Sequence, residues 1–448
     1  MSYVLIMVSE SALMNLYLHV APADLFRLLQ RHAGRIVRCG IYSARLVIWM
    51  MMNQRLHAGG SMARSVEQLH QGRFDPLLSR CKRVLDKRMS LSTGGYCQAR
   101  QKLPTIVVRR SVNELIERLR QRITEGAPEG QPRVYVVDGS SIQIEYSPEL
   151  VKDYPQAEGR GRSHRLIVRM VVLHDADTGL AERPSWGPMY GQKAVSEQEL
   201  ARQAMAQLPA GAVLMGDRNF GIFSTAYHAQ QHGQKVIVRL TKLRATALVG
   251  GPISCPGDWL MEWRSSRWDR KKHPAWPVDA QVSGRLIAWR VGRGKHKQWL
   301  YLFTTLTVPA EQVVEWYAKR WRIETDLRSL KQTVRLKQLQ VHSSDMVEKE
   351  LLVAVLAYNL VRTIMYLAAQ RSGGDPRQLS FTYACNIVLD GYPAILAARG
   401  AKRQQQELDR IIELVSRCKL PKRRKSRQYP RAIWGHGFRF PLRKEGEN

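Results

Sequence analysis

Cysteine is scarce in this chain and follows no pattern. The six residues, at positions 39, 81, 97, 255, 385 and 418, form no CxxC pair and no Cys/His cluster. That argues against a disulfide framework and against a zinc site, and reads as reduced thiols in a cytoplasmic protein. The twelve histidines show no HExxH or similar cluster. His164 and His174 flank the strand-like Arg165–Leu173 and read as structural or surface residues. A membrane-length apolar run is also missing. Leu46–Met52 is the strongest, far short of the roughly 20 residues that span a bilayer, and reads as a buried helix. Met1–Met14 has no basic n-region and no small-residue cleavage site, so no secretory signal is expected. No internal repeat or low-complexity tract stands out.

Negative charge is in short supply. Lys and Arg number 70 against 38 Asp and Glu, for a formal net charge of +32 and a pI near 10.3. Such an excess implies a polyanionic partner, most simply nucleic acid. A membrane surface is the alternative, and no segment supports it.

What is present is enough for two or three domains: 448 residues, 44% of them hydrophobic. Residues 1–130 read as helical, with mixed apolar and basic faces at Ala23–Gln30, Ala44–His57, Ser65–His70 and Val107–Ile123. Gly59-Gly60 and Gly94-Gly95 read as breaks, and Pro128–Pro132 as a boundary. Residues 131–240 alternate. Strands are expected at Val134–Ile144, Leu166–His174, Val213–Asp217 and Val236–Leu240, with helices at Glu197–Gln207 and near Thr225–His232. That order argues a mixed α/β sheet. Residues 241–308 are rich in Trp, Gly, Pro and short strands, and read as an insertion before the chain resumes at 309–370. Val347–Gln370 is strongly apolar and reads as a core helix. Residues 371–448 read as helical and basic, with a last helix at Gln404–Arg417. Lys419–Lys444 is dense in Lys and Arg, interleaved with Tyr429, Trp434, Phe438 and Phe440. It reads either as a solvated tail or as one that tracks DNA backbone.

The most informative stretch is Tyr317–Lys331. It has no Gly or Pro and carries apolar residues at helical spacing. On a regular helix Tyr317, Arg320, Glu324, Arg328 and Lys331 share a face roughly 80° wide. Trp316, Ile323, Leu327, Leu330 and Val334 form the neighbouring apolar face. A carboxylate set among cations and a phenol suits an acid that binds a metal while its neighbours grip phosphates. Asp326 points the other way, so Glu324 is the candidate. Two β-rich runs each end in an acid, Asp138-Gly139 and Gly216-Asp217. Ligands bind outside the carboxyl ends of strands in open α/β sheets, and three carboxylates there can hold two Mg²⁺ ions about 4 Å apart. Singly, each Asp is as readily a turn former.

Taken together, the chain resembles the DDE transposases of bacterial insertion sequences, in the insertion-sequence-4-like branch marked by Tyr-x2-Arg-x3-Glu-x6-Lys. Tyr317, Arg320, Glu324 and Lys331 match at every spacing. Asp138-Gly139-Ser140, Gly216-Asp217-Arg218-Asn219-Phe220-Gly221 and the upstream Gly95–Pro104 are similar to further family motifs. The resemblance covers roughly residues 35–440. It implies a ribonuclease-H-like core whose first strand, fourth strand and last helix supply the acids, with a β-rich insertion at 241–308. It tips the N-terminal region toward binding DNA ends rather than merely capping the core.

On this reading Asp138, Asp217 and Glu324 are the catalytic acids and metal ligands, for two Mg²⁺ ions that Mn²⁺ can replace. Arg320, Lys331 and Arg328 hold phosphates, and Tyr317 donates to a phosphate oxygen. Their rival reading is a charge array on a helix surface. By resemblance, Trp299 is the aromatic that stacks on a base flipped from the DNA end, and Trp321 is an aromatic beside the site. Either could instead pack in a core. Ser140 and Ser141 are expected only to bond local backbone. The implied activity is cleavage at element ends and strand transfer to target DNA, probing terminal inverted repeats and target sites as a homodimer in the DNA complex. The alternatives are a ribonuclease-H-like nuclease without strand transfer and a non-catalytic DNA-binding derivative.

Overall fold

The β-rich run that carries Asp138 is a strand, β1 (Val134–Ile144), at the bounds its composition predicts. The computed structural model describes residues 12–32, 34, 40–57, 59–124, 132–158, 165–292, 297–391 and 400–421. Most of the basic tail, with Tyr429, Trp434, Phe438 and Phe440, lies outside the described residues.

β1 belongs to a mixed sheet with β2 (Leu166–Asp175), β3 (Ser185–Pro188), β4 (Val213–Gly216), β5 (Lys235–Arg239), β6 (Gly257–Arg264), β7 (Gln281–Val291), β8 (Gln298–Thr304) and β9 (Gln338–Leu339). The order is β3-β2-β1-β4-β5-β8-β7-β6, with β9 beside β1. β2 runs antiparallel to β1, and β4 and β5 continue parallel to it. This is the arrangement of a ribonuclease-H-like core. The strands of the 241–308 stretch extend that sheet rather than building a separate one, because β8 pairs antiparallel with β5.

The helices of the N-terminal region are α1 (Ala12–Val20), α2 (Ala23–His32), α3 (Ala44–Leu56), α4 (Met62–His70), α5 (Lys82–Leu85), α6 (Gly94–Lys102) and α7 (Thr105–Thr124). Gly94-Gly95, read as a break, opens α6 instead. Glycine costs little in a first turn, where the ladder has not begun, and Ser92 Oγ accepts from the Gly94 N–H. Then come α8 (Pro148–Asp153), α9 (Glu197–Met205), α10 (Phe223–Gln231), α11 (Lys242–Val249), α12 (Arg267–Lys272), α13 (Ala310–Ala318), α14 (Arg322–Arg328), α15 (Ser344–Ser372), α16 (Phe381–Asp390) and α17 (Ala401–Arg417).

Alternation along β1 divides the core in two. Val134 and Val136 face a cluster shared with α1, α3, α7, α14 and α15. Tyr135 and Val137 face a second cluster built with α9 and α10. The first cluster runs without interruption from the N-terminal helices to the sheet. Ion pairs reinforce it: Glu350 on α15 accepts from Arg55 of α3 at 2.5 Å and from Arg100 of α6. Lys349 donates to the carbonyls of Arg100 and Gln101 at the end of α6, at 3.1 and 3.0 Å.

By length and composition α15 is apolar enough to cross a membrane, but it is buried inside the protein. It carries Lys349, Glu350, Asn359 and Arg362 in that interior, and charges inside a bundle need partners rather than lipid. Among the described residues no other helix meets that test.

Candidate active site

The strand register aligns Asp138 with Asp217. Val134 pairs with Val213 and Val136 with Met215, so two positions further on Asp138 stands level with Asp217. β4 pairs with β5 at Gly216 and Val238, so Asp217 in turn stands level with Arg239. Side chains two apart on a strand share a face. Asp138 therefore follows Val136, Asp217 follows Met215 and Arg239 follows Ile237, all residues of the cluster that includes α14. Two acids and a cation thus stand in a row on one face: Asp217 and Arg239 at the carboxyl ends of β4 and β5, and Asp138 not at a strand end but midway along β1, which runs on beside β2 to Ile144.

The turn after β4 explains the glycines around Asp217. A Cβ at Gly216 would sit 2.7 Å from Phe220 Cβ, and one at Gly221 would sit 2.0 Å from the Arg239 carbonyl oxygen. Phe220 is buried under the turn. The Asn219 N–H donates to Asp217 Oδ1 at 2.8 Å, an Asx turn that fixes the carboxylate.

Asp138 is mostly buried, and its Oδ1 accepts from the Gly139 N–H at 2.8 Å. Burial pushes its carboxyl up to about 6. The Gly139 bond and Arg320 oppose the rise, and the negative charges of Asp217 and Glu197 add to it.

The signature segment is helical throughout but not regular. α13 gives way to a 3-10 turn at Lys319–Trp321, then α14, then a π turn at Ser329–Thr333. The single-pitch face read from the sequence is therefore only approximate. At the π turn Ser329 Oγ bonds back to the Thr325 carbonyl at 2.9 Å, a bond that competes with the helical ladder. Arg335, at φ +60, then ends the helix, and the Leu336 N–H reaches back to the Leu330 carbonyl at 3.1 Å.

Tyr317 and Arg320 are both buried. Burial raises the Tyr317 phenol, with Arg320 and Arg239 pulling it down and Asp217 pushing it up. Those influences place it among the strand-end charges. The Tyr317 hydroxyl and Arg320 Nε are buried without a hydrogen-bond partner at good geometry. The Arg320 guanidinium lies 5.0 Å from the ring of Trp321, which is half exposed. Glu324 is half-buried in the first turn of α14, and α14 packs against β1. Arg328 is exposed and Lys331 half-buried. Burial, then Lys337, lowers the Lys331 ammonium.

Trp299 stands apart from this group. It alternates with Leu300 and Leu302, so it lies on the opposite face, packed with the second cluster. Its ring stacks at 6.0 Å on Tyr301 and holds the Arg290 guanidinium at 4.6 Å. Asp326 does point away from Glu324, but it is fully engaged. Arg377 donates to both of its oxygens, at 2.9 and 2.6 Å, Tyr358 donates at 3.0 Å, and Arg362 donates as well.

Two members of the group carry no sequence signal. Arg239 is recognised only through the β4–β5 register. Glu197, on the first turn of α9, reaches Asp138 only because of the tertiary fold.

The donor set fits a hard divalent cation. Carboxylates facing each other across adjacent strands repel, and a Mg²⁺-type ion with oxygen ligands relieves that repulsion. Among the described residues no three His, Cys, Asp or Glu side chains are drawn into a closed metal-ligand group. Asp138 and Asp217 are brought together by the sheet, and Glu324 lies half-buried on α14, the helix packed against β1.

The family model described as the transposase DDE domain matches residues 129–360, from just before β1 into α15. The transposase InsG for insertion sequence element IS4 of Escherichia coli (strain K12) is 26% identical over 394 residues, covering 84% of this chain and 83% of the relative.

Proposed function

From the premise that the chain belongs to the DDE transposase family, we propose that it cuts the ends of its own mobile element and joins them to target DNA by a cut-and-paste route. The observation that carries the reading is the row formed by Asp138, Asp217 and Arg239, covered by a helix bearing Tyr317, Arg320 and Glu324. Asp138, Asp217 and Glu324 would hold two Mg²⁺ ions, or Mn²⁺ in their place. Such ions activate the attacking oxygen and stabilise the leaving one in phosphoryl transfer.

The remaining work belongs to the chain. Arg320 is buried beside Asp138 with its guanidinium against the half-exposed Trp321, and is assigned to a phosphate oxygen. The Tyr317 hydroxyl, beside Arg320, is assigned as a donor to phosphate. Arg328 and Lys331 extend the cationic track along the DNA backbone. Trp299 is assigned to stacking on an unpaired base near the end. A homodimer would hold two element ends, consistent with the +32 charge seeking a long polyanion, and the protein would act in the cytoplasm, where the DNA lies.

The test is direct. Full-length protein is incubated with DNA bearing the inverted repeats that flank its coding region, a target plasmid and Mg²⁺. Joining of a 3′-hydroxyl end to the target supports transposition. Cutting without joining would reduce the protein to a nuclease, and neither would leave a DNA-binding derivative.

A further inference from the structure

Glu197 meets the site from the side opposite α14. It occupies the first turn of α9, whose N-cap Ser196 accepts from the Glu199 N–H at 3.1 Å. Its carboxyl group lies in the space that a side chain at position 139 would fill: a Cβ on Gly139 would sit 2.5 Å from Glu197 Cδ and 2.6 Å from Oε1. Asn219 Nδ2 donates to Glu197 Oε2 at 2.6 Å, and Gln198 Nε2 donates to Asn219 Oδ1 at 2.9 Å. The same Asn219 fixes Asp217 through its backbone N–H. One asparagine therefore links α9 to the Asp217 turn. The glycine after Asp138 is what admits Glu197 to β1.

We infer that Glu197 is a positioning residue of the metal site: it ties the Asp217 turn to β1 through Asn219 and brings a further negative charge to the divalent cation. The inference rests on the metal-dependent reading above. Its chemistry is that of an outer carboxylate. Glu197 accepts from the side-chain amide of Asn219, the residue whose backbone N–H orients Asp217, and lies beside the Asp138-Gly139 step, so the two acids keep their separation before the cation arrives. The Asp138-Gly139 and Asp217-Arg218-Asn219 segments then have a joint purpose: on the metal-dependent reading each Asp is a ligand, while Gly139 makes room for Glu197 and Asn219 holds it.

The test uses the full-length protein, free of metal, as wild type, Glu197→Gln, Gly139→Ala and Asp138→Ala. Mn²⁺ binding is followed by electron paramagnetic resonance of the free ion, and melting temperature is measured in metal-free buffer. Glu197→Gln keeps the size of the side chain and an acceptor for Asn219 but removes the charge. It is expected to weaken Mn²⁺ binding by about 10- to 100-fold, the range for outer-shell partners, with a melting temperature equal to or above that of wild type. Gly139→Ala should weaken binding similarly, since its Cβ displaces only the end of a flexible side chain. It also carries the test should Glu197→Gln fail to fold. Wild-type affinity in both variants, with affinity lost in Asp138→Ala, would overturn the role of Glu197 and leave the metal reading intact. A loss of affinity that merely follows a fall in melting temperature would overturn it too. Equal affinity in wild type and Asp138→Ala would contradict the metal reading, and the inference would fall with it.

Discussion

Asp138 works against the stability of the fold that presents it. Its carboxyl is pushed up to about 6, chiefly by burial. The folded protein thus binds this proton more tightly than the unfolded chain does, and stability is lost as pH rises from about 4 to about 6. Asp138→Asn should therefore stabilise the protein at pH 7 in metal-free buffer, by up to about 3 kcal/mol, raising its melting temperature, and the two proteins should converge toward pH 4. Thermal denaturation at the two pH values checks this. Asp326 behaves oppositely. Burial alone would raise its carboxyl, but Arg377 and Arg362 hold it well below the usual carboxylate range, so its contribution is present above about pH 4 and lost as pH falls below it. Asp326→Ala leaves two buried guanidinium groups short of a partner. It should cost about 3–5 kcal/mol, with cleavage, DNA binding and melting temperature falling together. Glu324→Ala, two residues away and half-exposed, should leave the melting temperature nearly unchanged. The sequence distinguishes these two acids by direction. It does not show that Asp326 is bound by residues 36 and 51 positions further along, because that partnership exists only once α15 has packed.

Elements were legible where one face is buried. The alternation in β1 and the capped apolar run of α15 appear in the sequence because burial on a strand or helix leaves a period. Irregular pitch leaves none, and the 3-10 and π turns of the signature segment were unreadable for that reason. Glu197 was unreadable because its approach depends on a missing Cβ in another element. The β7–β8 hairpin adds a feature of its own. β5 pairs with β8 only from Leu302 to Thr304, whereas β7 pairs with β8 back to Gln298. The hairpin therefore runs past the carboxyl end of β5, the end at which Asp217 stands, and carries Trp299 with it. If Trp299 meets a flipped base there, Trp299→Ala should lower second-strand processing by one to two orders of magnitude, from a stacking loss of about 1–3 kcal/mol, and should spare first-strand nicking. If it serves only as packing between Arg290 and Tyr301, all activities should fall in step with melting temperature. Nicking, hairpin formation and thermal stability measured on one preparation separate these outcomes.

At the scale of the whole molecule, charge and connectivity dominate. An excess of 32 positive charges predicts DNA binding that weakens steeply with salt, since each neutralised phosphate releases counterions. Binding isotherms over a salt series should give a steep negative slope, made shallower by deleting residues 419–448 if that tail tracks the backbone. An unchanged slope would assign the tail to solvent. The N-terminal helices share one hydrophobic cluster with the sheet and α15, so any DNA end they bind is referred rigidly to the acids. The central claim is that binding is spread over many cations, whereas chemistry depends on three carboxylates. The measurement that tests it most directly compares wild type with Asp138→Ala, Asp217→Ala and Glu324→Ala for both end cleavage in Mg²⁺ and mobility-shift binding. Each variant is predicted to bind end DNA nearly as wild type does and to lose cleavage. Full cleavage by any of the three would contradict the account.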